Sequence, residues 1–433
     1  MKVGVISLGC VKNRIDTEQM LWQLEQAGYE LTGTESEADI LIVNTCGFIQ
    51  SAKEESIDTI FELAEYKKTG KCRLLVVTGC LSQRYAENLL EEIPEIDCLL
   101  GVNQYDQVVP LIKRALKGER GCACEQNLSF FEGDRVLTTP PYSAYIKIGD
   151  GCDNRCAYCA IPLIRGGYRS RKKENILNEM RRMAGQGVRE QILIAQDTTK
   201  YGIDCGTSLK ELLKEGAQIP GIDWLRVLYM YPDETGIDLL EEMARHENIV
   251  RYLDLPLQHI SPELLKKMNR RGSPHSTRQL LKAAREMGFC LRTTFIVGFP
   301  GETEDDFKRL MDFTEEISFD RMGAFAFSAE EDTPAFEMPN QVPEEIKQER
   351  LDKLMQLQAG ISLKRNQLRL GKTERVLICG HNGMTYTGRS AFEAPDADGE
   401  IMVISQNPLI EGQFYPVKIS GAQTYDLTGE VIP

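Results

Sequence analysis

Cys152, Cys156 and Cys159 set three thiols within eight positions, in the run Gly149-Asp150-Gly151-Cys152-Asp153-Asn154-Arg155-Cys156-Ala157-Tyr158-Cys159. Thiolates packed this closely suit a metal centre. A cubane iron–sulfur cluster takes four ligands, so three leave one iron with an open coordination position. The alternative is a structural zinc site, which wants a fourth Cys or His nearby. The next cysteine is Cys205, and His259 is farther still; a lone His is more often a hydrogen-bonded core residue than a ligand. An open iron can be chelated by the amino and carboxylate groups of a molecule such as S-adenosylmethionine, placing its sulfonium where an electron from the cluster can reach it.

A second trio is dispersed. Cys10, Cys46 and Cys80 each end an apolar, β-branched run: VGVISLGC, ILIVNTC and LLVVTGC. Parallel strands all end at one edge of their sheet, so three such positions can converge although they are far apart in the chain. The competing reading is three buried structural thiols, since unpaired Cys is among the most buried residue types. Cys72, Cys98, Cys122, Cys124, Cys205, Cys290 and Cys379 share no such context and read as packing or incidental residues.

The elements that must position these thiols follow from the hydrophobic pattern. Residues 1–117 alternate short apolar runs with longer amphipathic ones, the pattern of a parallel sheet with flanking helices; the strands are expected at Val3–Leu8, Ile40–Val43 and Leu74–Val77. Residues 118–142, with Gly, charged residues and Pro140–Pro141, read as a linker. Residues 143–369 resume the alternation, with strands expected at Tyr145–Ile148, Gln191–Ala195, Leu225–Leu228, Tyr252–Leu255, Arg292–Val297 and Arg321–Phe327. Six strands suggest an open or partial (β/α) barrel with its chemistry at the carboxyl strand ends. Residues 370–433 alternate β-branched and aromatic residues with turn residues, as in a small antiparallel barrel.

With 433 residues the chain exceeds the roughly 250–300 that one core holds. Its 13 cysteines, an odd number, argue against a disulfide framework. No apolar run approaches a bilayer span of about 20 residues, and the opening MKVGVISLGC lacks the long apolar core of a signal peptide, so a cytoplasmic protein is expected. A net charge of −14 repels polyanions and suits a basic partner.

The spacing Cys152-x-x-x-Cys156-x-x-Cys159, with an aromatic before the last Cys, resembles the signature loop of the radical S-adenosylmethionine superfamily. The whole chain resembles the methylthiotransferase family, in which an amino-terminal domain with an auxiliary 4Fe-4S cluster precedes a radical barrel and a TRAM domain. The strings SLGCVKN, NTCGFI, AIPLIRGGYRSR and ILIAQDTTKYG match the branch that modifies an aspartate of small-subunit ribosomal protein S-twelve. The branch that modifies tRNA adenosine typically has Gln where Val11-Lys12 stand and another tripeptide after Cys46.

The resemblance implies two 4Fe-4S clusters, one on Cys152, Cys156 and Cys159, the other on Cys10, Cys46 and Cys80. It implies S-adenosylmethionine as methyl donor and as source of a 5′-deoxyadenosyl radical, and transfer of a methylthio group to the β-carbon of the aspartate. Ribosomal protein S-twelve is then the substrate, and an electron donor such as flavodoxin or ferredoxin the partner. A tRNA partner is disfavoured by the tail, residues 371–433, where four Lys and Arg face eight Asp and Glu. These acids either hold a basic protein, or the tail only packs on the barrel with its acids simply solvated. Arg165, in the basic stretch Arg165, Arg169, Arg171, Lys172 and Lys173, is a candidate to neutralise a carboxylate near the cluster; a solvated loop is the alternative. Gln196, Asp197 and Gln258, at strand ends, are candidates to bind S-adenosylmethionine, or equally supports and loop caps. Gly298, Pro300 and Gly301 read as turn formers.

Overall fold

The computed structural model describes residues 1–383 and 385–432. The chain packs as two compact units, the first made of Met1–Thr138, Gly149–Arg171 and Ser328–Phe336, the second of Thr139–Ile148, Lys172–Phe327 and Glu337–Pro433. No helix among the described residues is long and apolar enough to cross a membrane.

The first unit is built on a parallel sheet of six strands, β1 (Lys2–Ser7), β2 (Glu30–Thr32), β3 (Ile40–Thr45), β4 (Leu74–Gly79), β5 (Cys98–Leu100) and β6 (Gly121–Ala123). Their order is β2-β1-β3-β4-β5-β6. The four larger helices are α1 (Val11–Gln26), α2 (Gln50–Thr69), α3 (Cys80–Glu92) and α4 (Val108–Ala115). Both faces of the sheet are covered, which is why β3 and β4 are apolar without alternation and buried at every position. Ile40, Ile42 and Val76 pack with Met20, Leu24, Leu111 and Ile112 on one face. Leu41, Val43, Leu75 and Val77 meet Ile60, Leu63 and Leu81 on the other. Because β2 and β3 flank β1, the winding reverses between β1 and β3, and such sheets bind ligands outside the carboxyl ends of the strands at that switch.

The three strands expected here are present. The short β2, β5 and β6 were not anticipated, and β6 lies inside the stretch read as a linker; with three residues each, they are too brief for a periodic signal.

The second unit contains two parallel three-stranded sheets, Trp224–Val227, Glu190–Ile194 and Ser143–Lys147, then Tyr252–Asp254, Cys290–Val297 and Arg321–Ala326. A parallel bridge from Leu225 to Ile249 leads from one to the next, giving the partial barrel. Helix Glu344–Gln367 then leads to a closed barrel of five strands between Thr373 and Val431.

That small barrel is fastened by buried charge within its unit. Glu190 lies 3.1 Å from Arg226 and 2.7 Å from Arg389. Glu393 lies 2.7 Å from Arg321 and 2.5 Å from Arg369. The Tyr252 and Tyr145 hydroxyls donate to Asp398 and Asp396 at 2.5 and 3.0 Å. Part of the tail's acidity is therefore internal: Glu393 and Asp398 are buried against the larger barrel instead of solvated or presented to a partner.

Candidate metal centre

All six cysteines of the two trios belong to the first unit. Cys10 follows β1 and caps α1, Cys46 follows β3, and Cys80 follows β4 as the first residue of α3. The sheet thus delivers the dispersed trio to one edge, with Cys10 and Cys46 flanking the winding reversal. The Cys10 and Cys80 sulfurs both approach Asn13 Oδ1, at 3.8 and 3.7 Å. Asn13 is held in turn by donating to Thr45 O at 3.0 Å, and its own carbonyl accepts from Asn44 Nδ2 at 2.8 Å.

Close approach of the Cys46 and Cys80 loops depends on glycines beside them. A side chain at Gly47 would stand 2.8 Å from the Leu81 backbone. Gly79 has φ 101°, which L side chains rarely adopt, and a Cβ there would strike Asn44 Oδ1 and Thr45 O. The donor set of three thiols at one strand edge fits a thiolate-bound cluster. Among the described residues, no three His, Cys, Asp or Glu side chains are close enough to hold a single metal ion; a cubane asks instead that each thiolate meet a different iron.

The Cys152–Cys159 loop is closed at its base by a short antiparallel pair, Gly149–Asp150 with Arg169–Ser170. The Cys152 N–H donates to Gly166 O at 3.1 Å, and the Cys159 N–H to Cys156 O at 3.0 Å. Arg155 takes a left-handed φ of 49° between the first two cysteines. Residues Ser328–Phe336 return to this unit: the Ala335 N–H donates to Ala157 O at 2.8 Å, and Glu330 pairs with Lys53 at 3.0 Å. This strap had no signal in the sequence, because its partners are remote in the chain.

Helix α5 (Ile161–Arg165) follows the third cysteine and carries Arg165 into the interior. The guanidinium is fully buried, 2.8 Å from Asp16, 3.2 Å from Asp150 and 3.0 Å from Asn13 Oδ1, and 4.0 Å from the Cys80 sulfur. Arg169 also pairs with Asp150, at 3.0 Å, and Arg171 with Glu132, at 2.6 Å. The basic stretch is therefore a set of ion pairs, and Arg165 stands beside the dispersed trio. Burial pushes the Cys80 thiol up to about 12 against the opposing pull of Arg165. Burial raises Cys46 as well. Asn13 and Asp16 were missed; their only signal is that polar residues recur on the buried face of α1 at three-residue spacing from Cys10.

Gln196, Asp197 and Gln258 lie in the second unit, just beyond barrel strands. Asp197 is buried and accepts from the Thr199 N–H at 3.1 Å and hydroxyl at 2.5 Å. Gln258 has a left-handed φ of 69°, its N–H donating to Thr294 O at 2.8 Å and its carbonyl accepting from the Ile296 N–H at 2.7 Å. His259 is a core residue, accepting from the Ser261 N–H at 3.0 Å, with Glu302 3.3 Å away.

Residues 146–314 match the radical SAM superfamily, residues 2–101 a family described as uncharacterized protein family UPF0004, and residues 370–432 the TRAM domain. The chain is 49% identical to a protein of Desulforamulus reducens named ribosomal protein uS12 methylthiotransferase RimO, over 99% of each chain. It is 50% identical to the protein of that name from Pelotomaculum thermopropionicum, over 100% of this chain and 99% of the other. Among solved structures, the radical S-adenosylmethionine methyltransferase TsrM of Kitasatospora setae superposes with a TM-score of 0.57 at 17% identity, covering 77% of this chain and 76% of that one. The cobalamin-dependent radical enzyme OxsB gives 0.53 at 14% identity, covering 83% and 56%. These two likenesses concern the fold.

Proposed function

The chain belongs to the ribosomal protein uS12 methylthiotransferase RimO family, and from that premise we propose that it transfers a methylthio group to an aspartate β-carbon of ribosomal protein S-twelve. The observation that carries the reading is the gathering of both cysteine trios in one compact unit, joined through Arg165. Cys152, Cys156 and Cys159 would hold one 4Fe-4S cluster, which would supply the electron for cleavage of S-adenosylmethionine, and Cys10, Cys46 and Cys80 would hold a second, which would supply a seat for sulfur.

The chain's own residues do the rest. Asn13 orients Cys10 and Cys80 through one carbonyl oxygen. Arg165 is a positioning residue: it ties Asp16, on the helix after Cys10, to Asp150, at the base of the other cysteine loop. Gln196, Asp197 and Gln258 are proposed to bind S-adenosylmethionine at the barrel strand ends, and a flavodoxin or ferredoxin to deliver the electron.

The test is mass spectrometry of S-twelve and of bulk tRNA after anaerobic incubation with reconstituted protein, reductant, sulfide and S-adenosylmethionine. A mass gain of one methylthio group replacing hydrogen, on an aspartate of S-twelve, is the expected result. The same gain on tRNA would move the chain to the other branch. No gain on either overturns the proposed substrate.

A further inference from the structure

The amino-terminal sheet carries a third group of thiols, one that the proposed clusters leave unused. β6 contains Cys122, and Cys124 follows its last residue. β6 is the outer strand of the sheet, paired with β5. Residues two apart on a strand face the same way; Cys122 is exposed and Cys124 half-buried. A side-chain hydrogen bond from Cys124 brings the Cys122 thiol down to about 7, while Cys124 is raised. An exposed thiol thus sits within hydrogen-bond reach of a half-buried one, the arrangement of an attacking and a resolving cysteine.

Position gives the pair its meaning. Cys124 follows a parallel strand, as Cys10, Cys46 and Cys80 do, and emerges at the same edge of the sheet. β4 and β6 are separated only by β5, hence by two strand spacings, roughly 10 Å. Gln83, one helical turn along α3 from Cys80, donates through Nε2 to Cys124 O at 2.8 Å and accepts the Val102 N–H at 2.9 Å. The dithiol is fixed to the same helix that presents Cys80.

We propose that Cys122 and Cys124 form a dithiol site that takes the outer sulfur of a low-molecular-weight persulfide and releases it as hydrosulfide near Cys80. The proposal rests on the methylthiotransferase reading, which requires a sulfur supply at that edge. In the first step the Cys122 thiolate attacks the outer sulfur of the donor, R–S–SH; the donor's S–S bond breaks, R–S⁻ leaves, and Cys122 becomes a persulfide. In the second step the Cys124 thiol gives its proton to the R–S⁻ released in the first, attacks the inner sulfur, on Cys122, and expels HS⁻. Two electrons pass from the dithiol to the transferred sulfur, and a Cys122–Cys124 disulfide remains. An extended pair two residues apart spans roughly 6.6 Å between Cα atoms, near the upper limit for a disulfide. Such a bond is strained and easily reduced, so a dithiol reductant closes the cycle.

The experiment uses the reduced full chain, glutathione persulfide as probe, and the variants Cys122→Ser and Cys124→Ser. Wild type is expected to release hydrosulfide in proportion to chain, and its peptide spanning residues 122–124 to lose two hydrogens. Cys124→Ser should keep one added sulfur on Cys122 and release none; Cys122→Ser should do neither. Equal hydrosulfide release by all three proteins, or sulfur added only at Cys10, Cys46 or Cys80, overturns the proposal. In the reconstituted enzyme, Cys122→Ser should lose methylthio transfer severalfold when glutathione persulfide is the sulfur source and match wild type when inorganic sulfide is. Loss with both sources overturns it too. If wild type transfers no methylthio group from any source, the family reading falls, and hydrosulfide release alone decides the dithiol.

Discussion

Two buried clusters of charge, one in each unit, serve opposite ends. In the second unit two buried carboxylates of the clamp each face two arginines: Glu190 has Arg226 and Arg389, Glu393 has Arg321 and Arg369. Despite complete burial, which opposes ionisation, the arginines hold both carboxyls down at about 2. This cluster is closed; its charges are paired within the protein, and its effect is to dock the small barrel. In the first unit a buried thiol joins the charges. Arg165 is shared between Asp16 and Asp150, Arg169 pairs with Asp150 as well, and burial pushes the Cys80 thiol beside Arg165 up to about 12. Cys80 becomes a thiolate only when a cation arrives to balance it, which is how metal affinity and proton release are coupled at thiol sites. The closed cluster builds structure, and the open one holds a buried thiol whose ionisation calls for an added cation.

The largest expected effect breaks the open cluster at its ligands. Cys156→Ala should abolish 5′-deoxyadenosine formation while the iron proposed to sit on Cys10, Cys46 and Cys80 remains countable. Cys46→Ala should stop methylthio transfer far more completely than cleavage of S-adenosylmethionine. Equal loss of both activities in the second variant would show that the two trios are not separable.

The cysteines were legible because their signal is local: an apolar run that ends in Cys, repeated for β1, β3 and β4, needs only the rule that parallel strands share an edge. The three central cysteines are legible from spacing alone. Arg165 was singled out for its charge, yet its partners were hidden, since Asp16 lies 149 residues away in the chain. The same holds for the strap Ser328–Phe336 and for Glu393 and Asp398, whose acidity suggested a surface for a basic partner. Periodicity reports which face of an element is buried and says nothing about which remote charge meets it. Cys122 and Cys124 were passed over because β6 is three residues long and carries no apolar run to mark its end.

A matched pair of arginine variants sharpens the comparison at an intermediate size. Arg389→Met removes one of two arginines from buried Glu190, and breaking a buried pair costs about 3–5 kcal/mol; the loss should appear as a lower thermal midpoint, with activity per folded chain retained. Arg165→Lys keeps a cation but loses the planar fork that spans two carboxylates. It should shift the midpoint less and instead lower the ratio of methylthio transfer to 5′-deoxyadenosine formed. A reduced midpoint with an unchanged ratio would make Arg165 a clamp like Arg389.

The smallest effect is a pH dependence confined to the closed cluster. Glu190 has its folded pKa at about 2 against an ordinary 4.5, so its ionised form stabilises the fold fully above 4.5. The contribution fades as pH falls from there toward 2. Glu190→Gln cannot titrate. The gap in thermal midpoint between wild type and Glu190→Gln should therefore be constant from neutral pH down to about 5 and shrink progressively below 4.5. A gap that persists unchanged at the acid end would mean that the carboxylate's hydrogen bonds, and not its charge, fasten the small barrel, and the contrast with the thiol site would then rest on geometry instead of charge balance.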